Sequence, residues 1–191
     1  MNWITKTLRV APVLLLVAGV AHASKYTDTV NLFRNNGESG SFFHKSYGYA
    51  VFPTVGEAGF GVGGAYGKGR VYVHGKIVGD TTMGQLSVGF QAGGKAFSQI
   101  IFFEDKRALD EFESGRFEFS AGASAVAITA GASASAGTSG ASAGASGGEK
   151  NATATGVYNK GMAVFTIAKG GLMYTATIAG QKFSYTPRGS D

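Results

Sequence analysis

The stretch at residues 47–78 limits the choice of fold more than any other part of this chain. It opens with Tyr49, Ala50, Val51 and Phe52, a strand-like apolar run expected to stop at Pro53. Glycine follows at positions 59, 61, 63, 64, 67 and 69, with Phe60, Val62 and Tyr66 between. A strand alternates its side chains between two faces, so this pattern gives one bulky face and one nearly bare face. A bare face lets a second backbone or a ligand approach closely. Gly67, Lys68 and Gly69 tolerate positive φ and are the expected tip of a tight hairpin, with 70–73 as the returning strand.

The remaining elements follow from periodicity. Tyr26, Val30 and Phe33 recur at i, i+4 and i+7, which predicts a short amphipathic helix over 25–35 docked on the sheet, or laid in a lipid interface. Phe42 and Phe43 mark a helical turn. Residues 80–84 read as a polar loop, 85–91 as a strand, Gly93-Gly94 as a turn, and 96–103 as a strand buried on both faces. Asp105 is a suitable N-cap for a helix over 106–114, with Gly115 at C′. Residues 121–148 are almost wholly Ala, Ser, Gly and Thr. The first part, to about 134, suits a small-residue strand. The part at 135–148 buries too little apolar area to offset chain entropy and reads as a mobile loop. Strands are expected at 153–158, 163–168 and 172–178, with a tight turn at 169–171 and a frayed tail from Pro187. The fold class is therefore mainly β: a strongly curved antiparallel sheet or half-closed barrel with two or three short helices.

Lys6 and Arg9, an apolar run over 11–20, and small residues at Ala21 and Ala23 have the form of a secretory signal peptide cleaved between Ala23 and Ser24. That leaves one domain at 24–191 in the periplasm or medium, without a lipoprotein anchor since the chain has no cysteine. Cleavage removes two basic residues from a formal net charge of +5, a weakly basic balance unlike a nucleic-acid footprint.

Gly59-x-Gly61-x-x-Gly64 matches a dinucleotide fingerprint only formally, because the third glycine leads into a strand rather than a helix N-terminus; no nucleotide is expected. His44 and His74 lack metal-ligand spacing, and no nucleophile elbow occurs, so neither a metal, a cofactor nor a catalytic residue is assigned.

Three stretches in order carry a resemblance. They are Ala50-Val51-Phe52-Pro53 with the following glycine run through Gly69, then 88–94 (VGFQAGG), and 158–165 (YNKGMAVF). With them the chain resembles the SYLF domain family, over residues from about 41 to 187. It departs from that family's usual Trp-Ser after the first hairpin, where Asp80, Thr81 and Thr82 stand. The resemblance implies a non-catalytic role in binding lipid or membrane, with phosphoinositides in eukaryotic relatives and actin bundling in some yeast members. An exported bacterial protein meets neither ligand in its own cell, so envelope phospholipid or lipopolysaccharide is the expected partner and actin is not.

On parity, Lys68, Arg70 and Lys76 share a face with Tyr66, Tyr72 and His74, a candidate site for the headgroup of an anionic phospholipid. Gly59, Gly61 and Gly63 form a glycine-lined strand beneath which an apolar cleft for lipid is the second candidate site. The bland alternative is an ordinary solvent-facing sheet surface. At the level of function the rivals are a structural or adhesive envelope protein, and an enzyme built from scattered residues.

Overall fold

The structure, a computed structural model, describes residues 16–119, 125–128, 158–169 and 178–189. The expectations for 135–148, 153–157, 170–177 and the leader before residue 16 lie outside them. Helix α1 (Leu16–Arg34) and a short α2 (Gly37–Gly40) lead through a 3-10 turn (Ser41–His44) into β1 (Gly48–Val73) and β2 (Lys76–Phe103). Helix α3 (Lys106–Glu113) and strands β3 (Val126–Ile128), β4 (Met162–Ala168) and β5 (Lys182–Pro187) follow. The sheet has the order β1-β2-β4-β3, with β5 pairing β2. Pairing is antiparallel except between β3 and β4, and the described strands do not close into a barrel.

Strands β1 and β2 form one continuous hairpin, paired from Gly48↔Phe103 to Val73↔Lys76. A straight strand of 26 residues would span about 86 Å at about 3.3 Å per residue. The ribbon instead doubles over. Register shifts fall at Phe52/Val55, Gly59/Gly61 and Val71/Tyr72. A Cβ on Gly59 would fall on the Cα of Gly63, so the glycines make the corner itself. Beyond it the returning half lies on the outgoing half: a Cβ on Gly67 would sit 2.8 Å from Val55 Cγ2, and one on Gly69 2.7 Å from the Phe52 ring. The bare face thus accommodates the chain's own backbone.

Five expectations are corrected here. Pro53 does not stop β1, because the bulge at Phe52/Val55 absorbs the residue that cannot donate to the ladder. Gly67-Lys68-Gly69 lies inside the strand, and the tight turn is His74-Gly75, with φ of 49 and 78. Neither 80–84 nor Gly93-Gly94 leaves β2. The tail is tied down by β5, and the Arg188 amide bonds the Val78 carbonyl at 2.9 Å.

Alternation along the strands builds two cores. Ala50, Phe52, Ile101, Phe103, Met162 and Val164 face a core completed by Leu109 and Phe112 of α3, Phe183 of β5, and Ala65, Val71 and Met83 of the folded-over ribbon. Tyr49, Val51, Ile100, Phe102, Phe165 and Ile167 face the second core, closed by Val30 and Phe33 of α1 and by Phe42 and Phe43. Helix α1 therefore docks on the sheet. Helix α3 starts as expected, with the Asp105 carboxylate accepting from the Ala108 amide at 2.8 Å, and Gly115 follows at φ 67. At the first core, Gln99 and Gln181 are fully buried and exchange amide hydrogen bonds at 2.9 and 3.2 Å.

Candidate functional site

The outer face of the folded-over ribbon carries the polar and exposed side chains. Direct cross-strand partners share a face. On this face Tyr66 stands opposite Gly84, which stands opposite Lys182; Lys68 stands opposite Thr82, then Ser184; Arg70 stands opposite Asp80, then Thr186. One step toward the corner, Gly64 pairs Leu86. Large and small residues thus form a checkerboard of Gly64–Leu86 and Tyr66–Gly84.

Lys68 and Arg70 are brought together on this face, but they differ in state. Lys68 is exposed. Arg70 is held: its guanidinium lies 4.2 Å from the Tyr26 ring of α1, and Nε is 3.6 Å from Asp80 Oδ1. Asp80 is also gripped by Arg188, at 2.7 and 3.0 Å. Burial pushes the Tyr26 and Tyr72 phenols above their ordinary value, and the Arg70 charge opposes this in both. The hydrogen bond to Asp80 raises Arg188 further. Lys76 is exposed at the hairpin tip, but the bulge at Val71/Tyr72 sets it opposite Val73, off the face of Lys68 and Arg70. Strict parity fails there because one extra residue flips every later side chain. Gly59 and Gly63 sit at the corner of the ribbon, and Gly61 pairs Gly89 within it.

Among the described residues, Val62 at 67%, Tyr66 at 55% and Leu86 at 86% exposure are large apolar side chains that stand in solvent around that corner. Beside them runs an open groove of about 740 Å³. Its lining includes Gly56, Gly64, Tyr66, Gly84, Gln85 and Leu86, together with Glu118 and Lys182. The Lys182 ammonium is 3.6 Å from the Glu118 carboxylate. Sequence reading missed Leu86, Glu118 and Lys182, because it expects no strand at 182–187 and the pairing of β5 with β2 creates this face. Among the described residues no group of three or more His, Cys, Asp or Glu side chains could hold a metal ion.

A doubled hairpin with a helix on each face, and a glycine-bared ribbon at its end, defines a mainly β domain. Residues 84–186, more than half of the chain, match the family model Ysc84, described as "Las17-binding protein actin regulator", and the chain belongs to this family. The match begins in β2, so the β1 glycine run lies before it. No curated protein matches the chain.

Proposed function

We propose that this is a non-catalytic lipid-binding protein of the bacterial cell envelope, exported by residues 1–23 and docking on membranes through the corner of its folded hairpin. The observation that carries this reading is the cluster of Val62, Tyr66 and Leu86, apolar side chains displayed together in water beside a groove. An exposed apolar patch rimmed by polar groups marks an interaction surface. Lys68 on the same face supplies attraction to an anionic headgroup layer, and a lysine near such a surface contributes about 1 kcal/mol. Arg70 belongs to the ion cluster with Asp80 and Arg188 rather than to the ligand. The family description names an actin regulator; an exported protein would not meet actin in its own cell, so lipid binding is the part that transfers.

Co-sedimentation of the chain from Ser24 onward with vesicles of phosphatidylethanolamine and phosphatidylglycerol tests the reading. Burying one leucine side chain is worth about 1.5–3 kcal/mol. Leu86→Asp should therefore weaken sedimentation by at least about tenfold, and Lys68→Gln by about fivefold at low salt. If the unaltered chain sediments with no vesicle and self-associates through Leu86 instead, the structural or adhesive alternative takes its place.

A further inference from the structure

We infer that the groove beside Tyr66 and Leu86 takes the single acyl chain of a monomeric amphiphile with a zwitterionic phosphate–ammonium head. This rests on the lipid reading above and adds a bound lipid molecule to surface docking. A groove of about 740 Å³ has the size of a small-molecule site, and its lining is mostly apolar, with Gln85, Glu118 and Lys182 as its polar side chains.

The glycines carry the argument further. A glycine inside a strand destabilises it, and one is normally found where a backbone or a ligand approaches closely. At Gly48, Gly59, Gly67, Gly69 and Gly79 a Cβ would collide with the chain's own atoms, so packing explains them. At Gly56 and Gly84 a Cβ would meet nothing within 4 Å, and neither has a positive φ. Among the described residues, neither a contact of an added Cβ nor the φ angle requires glycine at these two positions, and both line the groove. Gly84 is the notch between Tyr66 and Lys182 in one cross-strand row. A methylene chain laid in that notch would have the Tyr66 ring on one side and the Leu86 side chain diagonal to it, and would cover apolar surface now in water.

The charges choose the head. Lys182 and Glu118 stand side by side among the lining residues, both well exposed, with opposite signs 3.6 Å apart. A purely anionic head meets Lys182 and is repelled by Glu118; a purely cationic head meets the reverse. A head with phosphate and ammonium on neighbouring atoms satisfies both, the phosphate on Lys182 and the ammonium on Glu118, as paired charges in an interface require.

The test uses dodecylphosphocholine below its micelle-forming concentration, with no membrane present, titrated calorimetrically into the chain from Ser24 onward. Dodecyl sulfate serves as the anionic comparison of equal chain length. One dodecylphosphocholine per chain is expected. Gly84→Leu and Gly56→Leu each add an apolar side chain at a lining position where the Cβ meets open space. Excluding two methylenes already costs about tenfold, so each variant should bind at least about tenfold more weakly. Circular dichroism and the thermal midpoint confirm that each remains folded. Glu118→Gln should weaken dodecylphosphocholine while strengthening dodecyl sulfate, and Lys182→Gln should weaken both. The inference is overturned if the groove-filling variants bind as the parent does, or if Glu118→Gln leaves the preference between the two heads unchanged. Vesicle sedimentation separates the two ideas: if vesicles bind and the monomeric amphiphile does not, the groove assignment fails while surface docking stands. If neither binds, both fail.

Discussion

At the scale of single residues, the glycines divide by what lies above them. Gly69 faces the Phe52 ring, itself fully buried, with an added Cβ 2.7 Å from two ring carbons. Neither the ring nor the strand behind it has room to give. Gly69→Ala should therefore cost about 1–3 kcal/mol, the usual penalty of overpacking. Gly84→Ala should instead stabilise by about 0.4–1 kcal/mol, because the new methyl meets open space and the unfolded chain loses freedom. Urea midpoints of the two variants should move in opposite directions; a shared direction would show that close packing does not distinguish the two positions. The glutamine pair gives a second contrast. Gln181→Leu leaves the Gln99 amide buried without its partner, a loss of about 1–3 kcal/mol. Adding Gln99→Leu removes the orphan, so the double variant should be less destabilised than the sum of the singles. Additive losses in that cycle would mean that the two amides do not act as a pair.

At the scale of elements, α1 closes the second core with little more than Tyr26, Val30 and Phe33. Phe33 is fully buried, and truncating such a side chain costs about 3–5 kcal/mol. Phe33→Ala should lower the thermal midpoint sharply and also loosen Tyr26 from the Arg70 guanidinium, which near-ultraviolet dichroism of the tyrosines would register. A near-ultraviolet spectrum unchanged at low temperature would separate the Tyr26 contact from the anchoring of Phe33. This helix, α3 with its Asp105 cap, and the doubly buried strand ending at Phe103 were all legible in the sequence, because each writes its own local period or capping residue. The long hairpin was not. Pro53, Gly67-Lys68-Gly69 and Gly93-Gly94 are punctuation in most chains, and only the pairing of distant halves shows that here they bend a continuous ribbon. The same holds for the site. Lys68 and Arg70 share a face as parity says, but the bulge that removes Lys76, the helix residue that covers Arg70, and the strand β5 that brings Lys182 beside Gly84 are all tertiary facts.

At the scale of the whole molecule, one sheet serves two cores, and tyrosines sit around the margins of both. Burial raises the phenols of Tyr26, Tyr49, Tyr72 and Tyr158 above their ordinary value of 10.0. Tyr185 is pushed up to about 12, by burial first and by the nearby Glu113 carboxylate second, and its hydroxyl donates to the Val78 carbonyl at 3.1 Å. A phenol whose folded value lies above its unfolded value holds its proton in the native state while the unfolded chain has already lost it. The folded chain then binds more protons, and stability falls as pH rises. The contribution is fully present below pH 10 and is lost as pH climbs toward 12. The protein should accordingly lose stability progressively over this window, measured as the urea midpoint at successive pH values. Tyr185→Phe isolates the largest part. At about pH 8 the variant should be less stable by about 1 kcal/mol, the net value of the hydrogen bond to Val78. Through the alkaline window its midpoint should fall less steeply than that of the parent, because the group with the greatest shift is gone. Parallel curves for the two proteins would place the alkaline loss elsewhere, and a midpoint rising with pH would contradict the burial of these phenols altogether.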